Sequence, residues 1–326
     1  LANLNRRTMM TTPAQSNFRV LAILVVRTRD GSIQFIRGAN CEQGYIGGAI
    51  CAERAAICQL RFLEGYSIQK VVVVTDSKDP LSPGALCREF MVSVSTDPSN
   101  TLVVMGDCFD EVIIECPLSA LWPHPYLFRL QNRNSLVAFA SKWALENKVL
   151  PSLVVDPEVP DFEIFTALHK EAYSCLEKER FELIHPLRLA AAVHFSDGST
   201  ETAWQLKGLE YGCTLDPVSQ LLSFMERRRT QYKSTSAFIC QTCTISATHT
   251  DYQTVSNDIV LENSVTPTYI VMTDQFGICH APFAQARSLL SEHGYGNAKV
   301  LVHDVSGVLV VARASELLPL PPGNAK

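Results

Sequence analysis

The sequence predicts an α/β protein built from two tandem three-layer αβα units, each with a mixed sheet between helices. The order strand, strand, helix, strand, helix, strand, strand is evident in the first half of the chain, and part of it recurs in the second half. The chain has 326 residues, whereas domains of about 100–150 residues are commonest. We therefore expect units at 1–129 and 162–326, joined by a proline-punctuated linker at 130–161.

Hydrophobic periodicity and turn signals predict the elements of the first unit. Asp30-Gly31 is a hairpin signal between two largely apolar runs. Gly65 follows a helical pattern as a stop signal, and Ser82-Pro83 is expected to open a second helix. The predicted elements are, in order, Phe18–Arg27, Ser32–Arg37, a helix from about Cys51 to Glu64, Lys70–Thr75, a helix from Ser82, Thr101–Met105 and Glu111–Glu115.

The second half of the chain repeats this pattern, which indicates an internal duplication. The repeated elements are Leu189–Phe195, the Asp197-Gly198 turn, Thr202–Leu206, Asp216–Arg229, Tyr269–Asp274 and Ala281–Arg287. Asp216, Pro217 and Val218 replace Cys51, Ala52 and Glu53, and Ala286 replaces Cys87. The second copy is therefore expected to be a scaffold without catalytic residues.

Composition limits the class of protein and its partners. A hydrophobic fraction of 47% with 19% charged residues excludes extensive disorder. The sequence contains no uninterrupted apolar run of about 18 residues, so no membrane span is predicted. The net charge of −5 argues against nucleic acid as a partner, and Arg227–Arg229 is interpreted as a solvated helix face. Eleven cysteines without a secretory signal favour a reducing cytoplasm and free thiols. The sequence leaves open whether the residues before Met9 are native.

Two short segments carry the candidate chemistry. Gly38–Arg54 reads GANCEQGYIGGAICAER and Ser82–Phe90 reads SPGALCREF. The first places Cys51 at a helix start with Glu53 two residues later, and the second places Cys87 in the first turn of another helix. Because helix N-termini lower thiol pKa values and favour anions, two thiols at this position are suited to hold a metal.

These segments resemble the cytidine deaminase family, whose pattern is G-A/C-N-x-E-N, then C/H-A-E-R, then P-C-x-x-C-R. The matching positions are Gly38, Asn40, Glu42, Cys51, Ala52, Glu53, Arg54, Pro83, Cys87 and Arg88. The chain is similar to the two-domain, dimeric branch of the family, which implies a homodimer. Residues 165–182 resemble the family's N-terminal helix, which the first copy is expected to lack or to begin after. The implied activity is hydrolytic deamination of cytidine or deoxycytidine to the uridine nucleoside, in pyrimidine salvage.

The resemblance also implies roles for individual residues. Cys51 and Cys87 would bind a zinc ion that activates water, and Glu53 would move protons as general acid and base. The implied substrate-binding residues are Phe18, which would stack on the base, Asn40 and Glu42, which would bind ribose hydroxyls, and Ala52. Arg54 and Arg88 are expected to donate hydrogen bonds to the ligand sulfurs.

One position departs from the family pattern, because Gly84 stands where a third zinc-binding cysteine is expected. Catalytic zinc usually has three protein ligands. Cys58 lies about 10 Å further along the first helix, and Cys41 is predicted to point away from the substrate side. The identity of the third ligand is left open, and the candidates are Asp79 and a group from a partner subunit. A catalytically silent nucleoside-binding protein is therefore the alternative function.

Further thiols and histidines are interpreted as structural. Cys240, Cys243 and His249 lie in a strand-like run without a second pair of zinc ligands. Cys279 and His280 are of more interest, because the inactive copy of one subunit would pack near the active site of the other in a two-domain deaminase. Packing is nevertheless the favoured explanation for both residues. A third function, editing of polynucleotides, is disfavoured by the net acidity.

Overall fold

Two five-stranded mixed sheets organise the computed structural model, which describes residues 1–151, 156–223 and 265–321. Numbered within each copy, the strands of both sheets lie in the order 2-1-3-4-5. Strands 1 and 2 are antiparallel, whereas strands 3 and 4 are parallel. The predicted α/β fold with two similar units is confirmed.

The first copy follows the predicted order of strands and helices. Its elements are α1 (Ala2–Met9), β1 (Val20–Thr28), β2 (Ile33–Ala39), α2 (Ala52–Gln59), β3 (Tyr66–Thr75), α3 (Ala85–Val94), β4 (Leu102–Gly106), β5 (Ile113–Pro117) and α4 (Leu118–Leu121). Alternate residues of β3, Val71 and Val73, pack with Ala56 of α2 and Met91 of α3 in one core cluster. This packing fixes the two helices against one face of the sheet.

The second copy has the same layers. Its elements are α6 (Phe162–Cys175), β6 (Leu189–Phe195), β7 (Thr200–Trp204), α7 (217–223 within the described residues), β8 (Pro267–Asp274), α8 (Ala284–Glu292), β9 (Lys299–His303) and β10 (Leu309–Arg313). Ala192 of β6 packs with Phe165 of α6, whereas its neighbour Ala191 packs in a different cluster with Ala286 of α8. The sheet therefore lies between helices on both faces.

The two copies match residue by residue. The pairing of strand 1 with strand 3 is interrupted between Val25 and Val26 in the first copy and between His194 and Phe195 in the second. An isolated antiparallel bridge also lies just before α2 in the first copy and just before α7 in the second. The bridges join Cys41 to Ile50 and Leu206 to Leu215. Asp216 is therefore the structural counterpart of Cys51, as the sequence predicts.

Two helix boundaries differ from the predictions. The first helix leaves α-helical geometry after Gln59 and continues as a 3₁₀ turn over Leu60–Phe62, so it does not reach Glu64 as an α-helix. The second helix begins at Ala85 because Gly84 is its N-cap in an extended conformation. Pro83 precedes the cap, so the expectation of proline at the first helical position is wrong.

The predicted linker contains a helix of its own, α5 (Arg133–Glu146). The side-chain oxygen of Asn132 accepts hydrogen bonds from the backbone N–H groups of Asn134 and Ser135, which caps the helix. Its buried residue Leu136 packs with Phe128 and with residues of the second copy. The boundaries 1–129, 130–161 and 162–326 remain predictions.

The first copy does have an N-terminal helix, contrary to the prediction. α1 contacts β1 and β3. Its buried Arg6 forms an ion pair with Asp76, and Asn3 donates to the backbone oxygen of Asp107 at 2.7 Å. The residues before Met9 are thus packed against the first sheet.

Several predicted features lie outside the described residues. These are Arg227–Arg229, Cys240, Cys243 and His249. Within the ranges that are described, none of the helices has both the length and the apolar character needed to span a bilayer.

Candidate active site

The N-termini of α2 and α3 bring two thiols and a carboxylate together. Cys51 is the N-cap of α2, Glu53 lies in the first turn of α2, and Cys87 lies in the first turn of α3. The two Sγ atoms and a carboxylate oxygen of Glu53 all lie within 4.8 Å of one another. The candidate catalytic and metal-binding residues are therefore adjacent, although they come from two separate segments.

The two thiols interact with each other and differ in acidity. A hydrogen bond from Cys87, aided by the nearby Arg54 guanidinium, lowers the pKa of the Cys51 thiol to about 6. The same interaction, together with burial, raises the pKa of Cys87. Nη2 of Arg54 lies 3.8 Å from the Cys51 sulfur and also donates to the backbone oxygen of Ala49 at 3.0 Å. Cys51 is therefore the more acidic thiol of the pair, and the Arg54 guanidinium lies beside its sulfur.

Glu53 is a buried carboxyl group directed at the thiols. Glu53 is only 4% exposed, and this burial raises the pKa of its carboxyl group to about 7. The Cys87 Sγ donates to its Oε2 at 3.6 Å. A carboxyl group with a pKa near neutrality can both accept and donate a proton at physiological pH, which suits a general acid and base.

A cavity of about 340 Å³ opens in front of this cluster. The predicted residues that line it are Phe18, Asn40, Glu42, Cys51, Ala52 and Glu53, together with Gly84. This volume lies at the small end of the range for ligand pockets in proteins, which suits a compact substrate.

The polar side of the cavity is ordered by local hydrogen bonds. Asn40 accepts from the backbone N–H of Val20 at 2.9 Å and donates to the backbone oxygen of Phe18 at 2.8 Å. Glu42 accepts from the hydroxyl of Ser16 at 2.6 Å and from its backbone N–H at 2.8 Å, and these bonds lower the pKa of Glu42. Asn40 and Glu42 are thus held in place on one side of the cavity.

Sequence reasoning missed eight residues that line the cavity. Five are apolar, namely Val20, Ala49, Ile50, Val73 and Leu81, and the other three are Ser16, Thr75 and Ser82. Ser16 belongs to the same SNF segment as Phe18, and Ser82 directly precedes Pro83, so their neighbours in sequence were a usable signal. Thr75 and Leu81 come from the end of β3 and the loop after it, and only the folded sheet brings them to the cavity.

The structure corrects the expected role of Arg88. Its guanidinium donates to the backbone oxygens of Pro83 at 2.7 Å and Leu121 at 2.9 Å, and to Pro319 and Leu320 in the second copy. Its remaining side-chain partner is the Ser82 hydroxyl. Arg88 therefore joins the two copies, because it donates to carbonyl oxygens of both. Its hydrogen bonds within the described residues go to these oxygens and to Ser82, and not to the Cys87 sulfur.

Arg287 makes the mirrored set of bonds from the second copy. It donates to the backbone oxygens of Pro282 and Leu317 in its own copy, and to Pro123 and His124 in the first. Both arginines are fully buried, at 0% and 2% exposure. Each copy thus uses the equivalent arginine to bind backbone oxygens of the other copy, and these bonds hold the two copies together.

The donor set fits zinc, with one ligand position unfilled by the predicted residues. Thiolates at helix N-termini are typical zinc ligands, and two of them balance the charge of the ion. Asp79, Cys41 and Cys58 are exposed and do not belong to the clustered group. A Cβ placed on Gly84 would meet nothing within 4 Å, so the missing side chain leaves open space.

The second copy fills the corresponding positions with structural residues. Asp216, the counterpart of Cys51, accepts hydrogen bonds from the backbone N–H of Ser219 at 2.9 Å and from its hydroxyl. Val218, the counterpart of Glu53, is fully buried. Lys207, at the position of Glu42, forms a buried ion pair with Glu179 at 2.5 Å. These side chains satisfy one another and leave no thiol or carboxylate free for a metal at these positions.

Cys279 and His280 are also buried in the second copy, at 0% and 2% exposure. Nε2 of His280 lies 2.9 Å from a carboxylate oxygen of Asp274. The His280 ring also packs against Tyr126 and Phe128, at centroid distances of 5.4 and 5.7 Å, so His280 is buried where the two copies meet.

No family model matches the chain. A cytidine deaminase of Halalkalibacterium halodurans is 35% identical over 108 residues, which cover 33% of this chain and 76% of that protein. Among solved structures, the cytidine deaminase from Burkholderia pseudomallei is 26% identical, with a TM-score of 0.31 and coverage of 38% of this chain and 93% of that one. The corresponding enzyme from Mycobacterium leprae is 17% identical, with a TM-score of 0.32 and coverage of 48% and 97%.

The fold and the site define a protein with the zinc-deaminase arrangement, in which thiols and a carboxylate meet at helix N-termini. Because the curated relative is matched over three quarters of its length at 35% identity, the chain belongs to the cytidine deaminase family of hydrolases.

Proposed function

We propose that the first copy catalyses the zinc-dependent hydrolytic deamination of cytidine or deoxycytidine to uridine or deoxyuridine, as a step of pyrimidine salvage. The observation that carries the proposal is the buried Glu53 carboxyl beside the paired thiols of Cys51 and Cys87, at the wall of a nucleoside-sized cavity. Family membership supports the same reaction, since the curated relative is itself a cytidine deaminase.

Cys51 and Cys87 would hold the zinc ion, and bound zinc supplies a water molecule acidic enough to act as nucleophile near neutral pH. Glu53 would accept a proton from the attacking water and deliver it to the ring nitrogen N3. It would then take the proton of the hydroxyl added to the ring carbon and deliver it to the leaving amino group. Cytidine and water are thereby converted to uridine and ammonia. The raised pKa of Glu53 suits both steps, because the group must gain and lose a proton in each cycle.

The remaining wall of the cavity would orient the nucleoside. Asn40 and Glu42 are ordered acceptors and donors for the ribose hydroxyls, and the Phe18 ring would pack on the base. Ala52, which lies between Cys51 and Glu53 in the sequence, also lines the cavity. These contacts favour a free nucleoside over a polymer, because they bind the sugar itself.

We also propose a homodimer. The matching bridges of the two copies expose apolar residues at equivalent positions, with Ile50 42% exposed and Leu215 39% exposed. Burial of such residues against a second chain removes apolar surface from water. Sedimentation at micromolar concentration should give the mass of a dimer, whereas a fully active monomer would contradict the proposal.

The test of the proposed reaction is the release of ammonia and uridine from millimolar cytidine, with zinc added and with zinc removed by a chelator. We expect turnover that depends on zinc and that also occurs with deoxycytidine. Binding of cytidine without any ammonia release, in zinc-loaded protein, would instead identify a silent nucleoside-binding protein.

A further inference from the structure

Residues 317–320 of the second copy, here called the crossing segment, lie against the loop that leads into α3 of the first copy. Leu318 is 2% exposed and packs in the core cluster of the first copy. Leu320 has a φ of 48°, in the left-handed region that few residues other than glycine adopt. Its side chain is exposed, so contacts of the backbone hold Leu320 in this conformation.

Three groups meet at the backbone oxygen of Leu320. The Ser82 hydroxyl donates to this oxygen at 2.6 Å. Nη2 of Arg88 donates to the same oxygen and also to Oγ of Ser82, at 2.6 Å. A serine hydroxyl has one proton to donate, and here that proton is used on Leu320. Ser82, Arg88 and Leu320 therefore form a closed ring of hydrogen bonds between the two copies.

This ring lies at the wall of the cavity in front of Glu53, which we call the catalytic cavity. Ser82 and Gly84 line the cavity, and Gly84 is the N-cap of α3, whose first turn holds Cys87. Between them, the backbone oxygen of Pro83 accepts from Nε of Arg88 at 2.7 Å. A shift of Ser82 would therefore move both the cavity wall and the start of the helix that carries a proposed zinc ligand.

The second copy has the same arrangement without the hydroxyl. Nη2 of Arg287 donates to the backbone oxygen of His124 at 2.7 Å, and His124 has a φ of 47°. His124 is thus the counterpart of Leu320, but Ala281 stands where the first copy has Ser82. The arginines are therefore sufficient to join the copies, and the hydroxyl is present only beside the cavity that contains the thiols and the carboxylate.

We propose that Ser82 is a positioning residue of the active site and that the Leu320 carbonyl of the second copy holds it in place. The inference rests on the proposed nucleoside site, and it gives the second copy a function within the same chain. That function is to fix the loop between β3 and α3, which forms one wall of the site. Ser82 acts through this loop, because its proton is already donated to Leu320.

Two variants remove the contact from opposite ends. Ser82→Ala deletes the hydroxyl, and Leu320→Pro moves the carbonyl, because proline fixes φ at about −65°. Leu320 does not line the catalytic cavity, so its replacement acts on cytidine only through Ser82. Each variant should raise the dissociation constant of cytidine for the zinc-loaded protein about fivefold in calorimetry, the equivalent of one hydrogen bond. The double variant should raise it no further, whereas additive effects would overturn the inference.

The chain offers matched controls. Ser82→Thr keeps the hydroxyl and should bind cytidine as the unmodified protein does. His124→Pro moves the carbonyl that Arg287 binds, so it should lower the unfolding temperature about as much as Leu320→Pro but leave cytidine binding unchanged. Ala281→Ser, at the counterpart of Ser82, should also leave binding unchanged. Weaker cytidine binding in His124→Pro, as large as in Leu320→Pro, would attribute the effect to general packing and would overturn the inference.

Hydrogen exchange tests the same contact without a ligand. The amides of residues 85–90, at the start of α3, should exchange about fivefold faster in Ser82→Ala and Leu320→Pro and at an unchanged rate in His124→Pro. This result in a protein that does not deaminate cytidine would contradict the proposed function and still support the positioning role. Unchanged exchange and unchanged cytidine binding in Ser82→Ala and Leu320→Pro, in a protein that does deaminate cytidine, would overturn the positioning role alone.

Discussion

The two copies share one architecture but differ in chemistry. Where the first copy has Cys51 as the N-cap of α2, the second has Asp216, which accepts hydrogen bonds from Ser219 as an ordinary helix cap. In contrast, Arg88 and Arg287 are retained and make equivalent bonds to carbonyls of both copies. The comparison teaches that the duplicated arginines, which hold the copies together, persist in both copies. The residues that we propose for metal binding and proton transfer are present in the first copy only.

The largest expected effect concerns Glu53. Glu53→Gln should lower turnover of cytidine by about 10²–10⁴-fold, because the amide cannot transfer protons, while the cavity still binds the nucleoside. The measurement is steady-state ammonia release combined with equilibrium binding of cytidine. Glu64→Gln, an exposed position after the same helix, is the matched control and should keep full activity. Turnover near that of the unmodified protein would remove Glu53 from the proton-transfer role.

The same variant separates two roles for the carboxylate. Glu53 oxygen atoms lie close enough to both sulfurs to act as a zinc ligand. If Glu53 is only the acid and base, zinc content should be unchanged in Glu53→Gln. A loss of zinc together with activity would indicate that the carboxylate completes the metal site.

The second effect tests the symmetric part of the comparison. Arg88→Met and Arg287→Met should each lower the free energy of unfolding by about 2–4 kcal/mol, since several buried carbonyls lose a charged donor. Denaturant titration followed by circular dichroism measures the loss. The expected result is a similar loss for both variants. A loss confined to Arg88→Met would show that the two arginines do not play equivalent structural parts.

The third effect tests the departure at Gly84. Gly84→Cys should increase zinc retention during dialysis against a chelator by about tenfold, because a third thiolate adds a ligand in open space at the N-cap of α3. Gly212→Cys, in the second copy and also in open space, is the control and should retain no extra zinc. Equal, tight zinc binding before and after Gly84→Cys would mean that another group already serves as third ligand.

The smallest effect is expected in the second copy. Asp216→Ala should lower the free energy of unfolding by about 1 kcal/mol through the loss of a helix cap, and should leave turnover unchanged. Thermal unfolding and the ammonia assay measure the two quantities. A fall in zinc content in this variant would contradict the view that Asp216 is only a cap.

Much of the fold was predictable because its signals are local. The Asp30-Gly31 and Asp197-Gly198 turns and the apolar run before Asp76 fix strands whose register the structure repeats in both copies. The candidate cluster was predictable because Cys51, Glu53 and Cys87 match the cytidine deaminase pattern and all lie at helix starts, a position that sequence patterns indicate well.

What was not predictable depends on contacts between distant segments. The role of Arg88 was misjudged because its partners, Pro319 and Leu320, are more than 200 residues away and offer only backbone oxygens. Thr75 and Leu81 reach the catalytic cavity only after the sheet has formed. The N-terminal helix was missed because its stabilising partners, Asp76 and Asp107, belong to the ends of later strands and carry no sequence signal for helix formation.

The most direct test of the account measures zinc per chain in zinc-loaded protein, together with cytidine turnover, for three cysteine variants. Cys51→Ser and Cys87→Ser should each lose zinc and activity, whereas Cys213→Ser, an exposed thiol of the second copy, should keep one zinc per chain and full turnover. Retention of zinc and activity in Cys51→Ser, or loss of both in Cys213→Ser, would contradict the claim that the chemistry resides in the first copy alone.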